Sequence, residues 1–253
     1  MVYNLQKAGL WKRIAAWMFD GILTAILAVG LGFLLSALLG YDSYSRTLDA
    51  AYDRYEQEYG IVFDITLEEY DALPADQQQL YQDASDAVNA DTEAMYAYNM
   101  MLNLSLVILT VSILLAVLLW EFAFPLYFGN GQTLGKKIFG LCLVRTDCVR
   151  LNKLQLFART VLGKFAVETM LPVYILFLSF WGVLGATGTM ILVALTIGQL
   201  MCLIISRTNS ALHDLMAGTA VVDMASQMIF RDTEELIEFQ KRVAAEKAAR
   251  DPY

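Results

Sequence analysis

Four stretches of the chain are apolar enough, for long enough, to cross a bilayer. Residues 14–39 carry a single charge, Asp20, and residues 101–128 are interrupted only by Glu121. Residues 165–184 and 189–205 follow, with the tight "GATG" at 185–188 between them. About 20 apolar residues span the hydrocarbon layer. The first two runs exceed that length. The last two are short for full spans, so a re-entrant pair is the alternative there. The pattern changes between the first two runs. Residues 41–98 are polar but orderly: "TLEE" at 66–69 is a capping box in which Thr66 and Glu69 satisfy each other's amides. Pro74 suits the start of a further helix, where no N–H is needed. Nine tyrosines in this segment supply apolar area to bury. The pattern predicts a small cap of three or four helices, the last continuous with the second span, with a solvated acidic loop as the alternative. After residue 228 the chain is polar again. Asp232 and Glu235 have capping spacing, and Leu236, Phe239 and Val243 mark one apolar face of a terminal helix that docks on its own protein or on a partner.

The predicted fold is therefore an all-α membrane protein of about four transmembrane helices, with an extracytoplasmic helical insertion between the first and second. The divisions are residues 1–40, 41–98, 99–228 and 229–253.

Composition supports this reading and charge orients it. Of 253 residues, 57% are hydrophobic, too many for an ordinary soluble domain. The net charge of −8 conceals two opposite surfaces. Residues 41–98 hold fourteen Asp or Glu against Arg46 and Arg54, a net −12, which leaves +4 for the remainder. Basic residues flank the spans on one side only: Lys7, Lys12 and Arg13 before the first; Lys136, Lys137, Arg145, Arg150, Lys153, Arg159 and Lys164 between the second and third; Arg207 after the fourth. The positive-inside rule places these in the cytoplasm, with both termini, and the acidic segment outside. The first run is too long for a cleaved signal, and Asp20 interrupts it. Cys142, Cys148 and Cys202 have no metal-ligand spacing and are expected to be reduced.

The candidate chemistry lies in charges that hydrocarbon should reject. A carboxylate at the depth of Asp20 is costly unless it finds a partner or a wet cavity. Arg13 lies seven residues earlier on the same helical face, about 10 Å away along the axis at 1.5 Å per residue, too far for a firm direct pair. Glu121 and Glu168 fall in the same half of the membrane, within "EFAFPLY" and "ETMLPVY", which share the pattern Glu-x-x-x-Pro-apolar-Tyr. Each proline lacks the N–H that would reach the carbonyl four residues back, so Pro125 and Pro172 are expected to free the carbonyls of Glu121 and Glu168. Oxygen clusters of this kind hold cations or protonated carboxyls.

Two other motifs read as structural. "GQTLGKK" at 131–137 fails as a phosphate loop, which would need Gly at 130 and Ser or Thr at 137, where Asn130 and Lys137 stand. Gly131 and Gly135 instead suit sharp turns at the headgroups, and "KIFGLCLVR" suits an interfacial strand or helix. "SRTNSALHDLMAGTAVV" predicts a cap at Asn209 or Ser210, a short helix, and a stop at Gly218. His213 and Asp214 are adjacent there, about 100° apart on a helix, and are not expected to form a dyad.

Together, Arg13-x6-Asp20 entering the first span, "GQTLGKKIFGLCLVR" after the second and "LHDLMAGTAVV" near the end resemble the RDD family of bacterial membrane proteins. The resemblance covers residues 8–40 and 101–223. It implies that the arginine and two aspartates for which the family is named fall on Arg13, Asp20 and Asp214. It also implies a multi-pass protein of the bacterial cytoplasmic membrane, for which transport has been suggested, some members resembling cation/proton antiporters.

Two function classes follow. One is a small transporter or cation/proton-coupled carrier built on Arg13, Asp20, Glu121, Glu168 and Asp214, with a monovalent cation or proton as ligand and a homo-oligomer as the candidate assembly. The other is a non-transporting membrane scaffold that binds a partner. The motif residues Gly131, Thr133, Gly135, Lys136, His213, Gly218 and Thr219 are expected to be structural. No enzyme activity, metal, cofactor or nucleic acid is expected; the lipid bilayer is the partner.

Overall fold

A computed structural model of the chain describes residues 5–129, 131–180, 182–206 and 208–250. Asn130 and Arg207, named above, and Trp181, within the predicted third run, lie outside the described residues. Four helices are long and apolar enough to cross a membrane: α1 Leu10–Leu39, then Thr92–Phe128, Lys153–Phe180 and Gly185–Ile205. Between the first two come α2 Tyr41–Tyr59, α3 Leu67–Asp71 and α4 Ala75–Ala90, so the second membrane helix is α5. A short helix α6, Leu134–Ile138, and strand β1, Leu141–Arg145, lead to α7, Lys153–Phe180, and α8, Gly185–Ile205. Helix α9 Leu212–Ala217, strand β2 Thr219–Asp223 and helix α10 Thr233–Arg250 complete the chain.

Two expectations about the last spans need correction. Helix α7 has 28 residues and begins at Lys153, twelve positions before the predicted third span. Arg159 and Lys164 break the apolar run in the sequence but lie inside the helix, where they have partners. Helix α8 has 21 residues, so both helices are long enough to span fully. "GATG" does not connect them; it forms the first turn of α8, and Gly182, with φ 71°, lies in the connection instead.

The chain forms two compact units. One comprises Val29–Ser112. In it α2 and α4 pack around Ala51, Ala84 and Val88, which are buried, with Ala94 and Ala97 from the start of α5. The tyrosines do the expected packing: Tyr52 meets Phe63 and Tyr70 meets Tyr81 edge-on, with centroids 5.2 and 5.9 Å apart. The Thr66–Glu69 capping box forms in both directions, and Pro74 caps α4. Arg54 pairs with Asp91, at the junction of α4 and α5. This segment is a helical body rather than a solvated loop.

The other unit contains the chain up to Ala28 and from Ile113 onward. Its least expected feature is a sheet. Strand β1 pairs antiparallel with β2, Leu143 opposite Val221, and four successive residues of each strand are buried. The alternation in "KIFGLCLVR" is thus divided between α6 and a strand, and the "TAVVD" partner 78 positions later was not foreseen. The sheet packs with Ala8, Ala16 and Leu156 in one apolar cluster. Helix α9 is capped by Ala211, not Asn209 or Ser210, and stops at Gly218, whose φ of 63° a side chain would resist. Helix α10 docks on its own protein: Leu236 is buried with Cys148, Val149 and Phe230, and Phe239 packs beside them.

Candidate functional site

Each Glu-x-x-x-Pro motif marks a change of helical register. In α5, residues Leu118–Ala123 form π-helical turns, and in α7 residues Ala158–Met170 do. The last donor before each proline bonds five residues back: Phe124 N–H to the Leu119 carbonyl, and Leu171 N–H to the Ala166 carbonyl. Pro125 and Pro172 follow directly. Because proline cannot donate, the wide register ends there and an α-helix resumes. The carbonyl of Glu121 is not left free for a ligand; it accepts from Thr160 Oγ1 at 3.1 Å.

These wide segments turn charged side chains toward a cavity of about 420 Å³. Its lining draws on the first part of α1, the end of α5, α6, the first part of α7, the latter part of α8, and α9.

Asp20, 2% exposed, meets only neutral donors. Its Oδ1 accepts from the Gly135 N–H at 2.8 Å and from Trp120 Nε1 at 3.2 Å, and its Oδ2 accepts from Thr133 Oγ1. The "GQTLG" turn is thereby seated on α1. Gly135 is required for the approach: a Cβ there would lie 2.5 Å from the Ala16 carbonyl oxygen and 2.8 Å from Asp20 Oδ2. Thr133 also caps α6 by accepting from the Lys136 N–H at 3.3 Å. Gly131, with φ 62°, passes so close to Leu143 that a Cβ would lie 2.8 Å from that residue's Cβ.

Glu121, 1% exposed, is held by Lys164 on Oε1, while Lys136 Nζ stands 3.7 Å from Oε2. Burial pushes the Lys136 ammonium below its ordinary value, and Glu121 opposes that.

The third group joins α7 to α9. Arg159 Nε donates to Asp214 Oδ1 at 2.8 Å, and Thr219 Oγ1 donates to the same oxygen at 2.9 Å. Arg159 Nη2 lies 2.8 Å from His213 Nε2. A guanidinium only donates, so Nε2 is the acceptor and the imidazole proton sits on Nδ1. That nitrogen faces Glu168 Oε2 at 2.5 Å, while the His213 amide donates to Glu168 Oε1 at 2.9 Å. Burial alone would raise the Asp214 carboxyl, but Arg159 first, then the Thr219 hydrogen bond, hold it well below the usual carboxylate range. Gly163 lets α9 sit against α7, since a Cβ there would be 2.6 Å from the His213 Cβ.

The RDD family model matches residues 7–218. The chain belongs to the RDD family. No curated protein and no solved structure matches it. As an RDD protein with four apolar helices of spanning length, it is a membrane protein.

In this RDD chain the five candidate charges of the sequence converge. Arg13, Asp20, Glu121, Glu168 and Asp214 all line the one cavity. Arg13 and Asp20 make no direct pair; the arginine bound to Asp214 is Arg159, and Arg13 makes no ion pair or side-chain hydrogen bond among the described residues. Arg159 reaches both His213 and Asp214, and His213 Nε2 lies 3.6 Å from Asp214 Oδ2. Arg159, Lys136 and Lys164 were counted as a cytoplasmic basic flank, yet each is ion-paired in the cavity wall. One signal was available: acids inside the spans require donors or basic partners, and Arg159 and Lys164 are the nearest bases to the third apolar run.

Proposed function

We propose that this RDD protein is a small proton-coupled carrier of the bacterial cytoplasmic membrane, with both termini in the cytoplasm and residues 41–98 outside. The observation that supports it is the cavity of about 420 Å³ set among membrane helices, in which Glu168 and His213 share a contact of 2.5 Å. Ionisable side chains at membrane depth mark ion or proton paths more often than they stabilise. Protonation at Nε2 removes the acceptor that Arg159 uses and turns a hydrogen toward Asp214 Oδ2, so one proton rearranges the contact between α7 and α9. The residues work as binding and relay groups; no covalent step is part of this reading, and the protein is not an enzyme.

A scaffold role is the second reading. It is favoured by the engagement of every cavity carboxylate with an internal donor, since such pairs can serve only to fix α5, α7 and α9 together.

The test is flux in liposomes that contain the purified protein and an entrapped pH dye. The carrier reading expects the lumenal pH to respond to an imposed salt or pH gradient, and the response to disappear in Glu168→Gln and His213→Gln proteins that remain folded. A folded wild-type protein that moves neither protons nor solute leaves the scaffold reading.

A further inference from the structure

The cavity's acids are occupied, and its unmatched groups are basic. Asp20 accepts three hydrogen bonds, Glu121 has Lys164 and Lys136, Asp214 has Arg159, and Glu168 has His213. Among the described residues no group of three or more His, Cys, Asp or Glu could hold a metal ion. Glu121 Oε2 is buried without a hydrogen bond, but Lys136 stands beside it. Two guanidinium groups remain. Arg13 lines the cavity, half-buried, without an ion pair or side-chain hydrogen bond among the described residues. Arg159 is 2% exposed, and although Nε and Nη2 are engaged, Nη1 is buried with no partner. Buried donors are nearly always satisfied, and an idle one signals a missing acceptor. Much of the remaining wall is apolar, with Ile14, Trp17 and Leu200, and Thr169, Thr196 and Gln199 also line it. Trp17 and Leu200 are 63% and 52% exposed, so the apolar rim is open. The cavity has the size and character of a small-molecule site, apolar walls with a few convergent polar groups.

We propose that the cavity binds a small amphiphilic anion, its carboxylate or phosphate held by Arg13 and Arg159 Nη1 and its apolar body against Trp17 and Leu200. This rests on the carrier reading of the same cavity and names its substrate class as anionic rather than cationic. A guanidinium fork pairs with either oxyanion through two parallel hydrogen bonds, so the anion's source is a soluble organic acid or a lipid headgroup.

The test measures thermal unfolding of the detergent-purified full chain with benzoate, 1-naphthyl phosphate, dioctanoyl phosphatidic acid, and benzylammonium as a cation of similar shape. The proposal expects the anions to raise the unfolding temperature and benzylammonium not to. Arg13→Gln should weaken the anion's apparent affinity about tenfold or more, and Arg13→Lys by less, since the charge remains but the fork does not. A stronger effect of phosphatidic acid assigns the site to a lipid headgroup, and a stronger effect of the soluble anions assigns it to an organic acid. Anion stabilisation without proton or solute flux in liposomes supports the site and overturns the carrier. Stabilisation by benzylammonium instead, an anion effect unchanged in a folded Arg13→Gln protein, or no effect of any probe overturns the site. Proton flux in liposomes then decides the carrier reading separately.

Discussion

Arg159 and Asp214 meet Nε to Oδ1 at 2.8 Å across 55 residues of sequence, with side chains 3% and 2% exposed. Taking one member from such a pair strands a buried charge and costs about 3–5 kcal/mol, whereas replacing both with apolar groups is often close to neutral. Asp214→Ala and Arg159→Ala should therefore each lower the unfolding temperature in detergent sharply. The double replacement Arg159→Met with Asp214→Leu should recover much of the loss. Equal losses in the single and double variants would show that the pair is not what joins α7 to α9.

The same pair sets an acid limit. Asp214 titrates in the folded protein below its unfolded value, so its contribution is complete above the ordinary carboxyl range near pH 4 and is lost as the pH falls below it. Between about pH 5 and 3 the wild-type unfolding temperature should drop more steeply than that of Asp214→Asn, which has no carboxylate to protonate. Above neutrality this group adds no slope. Parallel acid profiles for the two proteins would contradict the linkage.

Asp20 should tolerate an amide better than a methyl. In Asp20→Asn the oxygen can keep the Gly135 and Trp120 donors, and the Thr133 hydroxyl can turn to accept from the new NH₂, for a loss of about 1 kcal/mol. Asp20→Ala leaves three donors without an acceptor and should cost several times more. Gly135→Ala should be as damaging as Asp20→Ala, because its Cβ would displace both Ala16 and Asp20. Thermal unfolding of the three variants ranks them. An Asp20→Asn protein as unstable as Asp20→Ala would mean that the full charge, not the hydrogen bonds, seats the turn.

The proposed orientation predicts opposite labelling of two exposed positions. A cysteine at Ser85 should react with an impermeant thiol reagent on intact cells, and one at Thr233 only after the membrane is opened. The background is low, since Cys142 and Cys148 are buried and Cys202 is half-buried. Reaction of both sites from the same side would rule out an even number of full spans.

Hydrophobic patterning alone determined the number of membrane helices, the helical character of residues 41–98, the capping box at Thr66 and the stop at Gly218. Each depends on contacts within a few residues: apolar run length, a cap three positions away, a glycine at a positive φ. Motif order likewise marks the chain as an RDD protein, and the family model matches residues 7–218. The five candidate charges were also legible, because a charge in an apolar run is conspicuous wherever it points.

Only the tertiary structure decided who pairs with whom. Arg13 and Asp20 share a helix face in the sequence, yet Asp20 turns to Gly135 and Thr133 and Arg13 makes no ion pair among the described residues, because partners 113 and 115 positions away approach more closely than one two turns along a rigid helix. Arg159 and Lys164 shortened the apparent third span because a hydropathy pattern counts a charge as exposed, whereas folding neutralises it against Asp214 and Glu121. The β1–β2 pairing was equally hidden: five-residue strands separated by two membrane helices carry no local signal of each other, and their hydrogen bonds exist only once α7 and α8 return the chain to the same side.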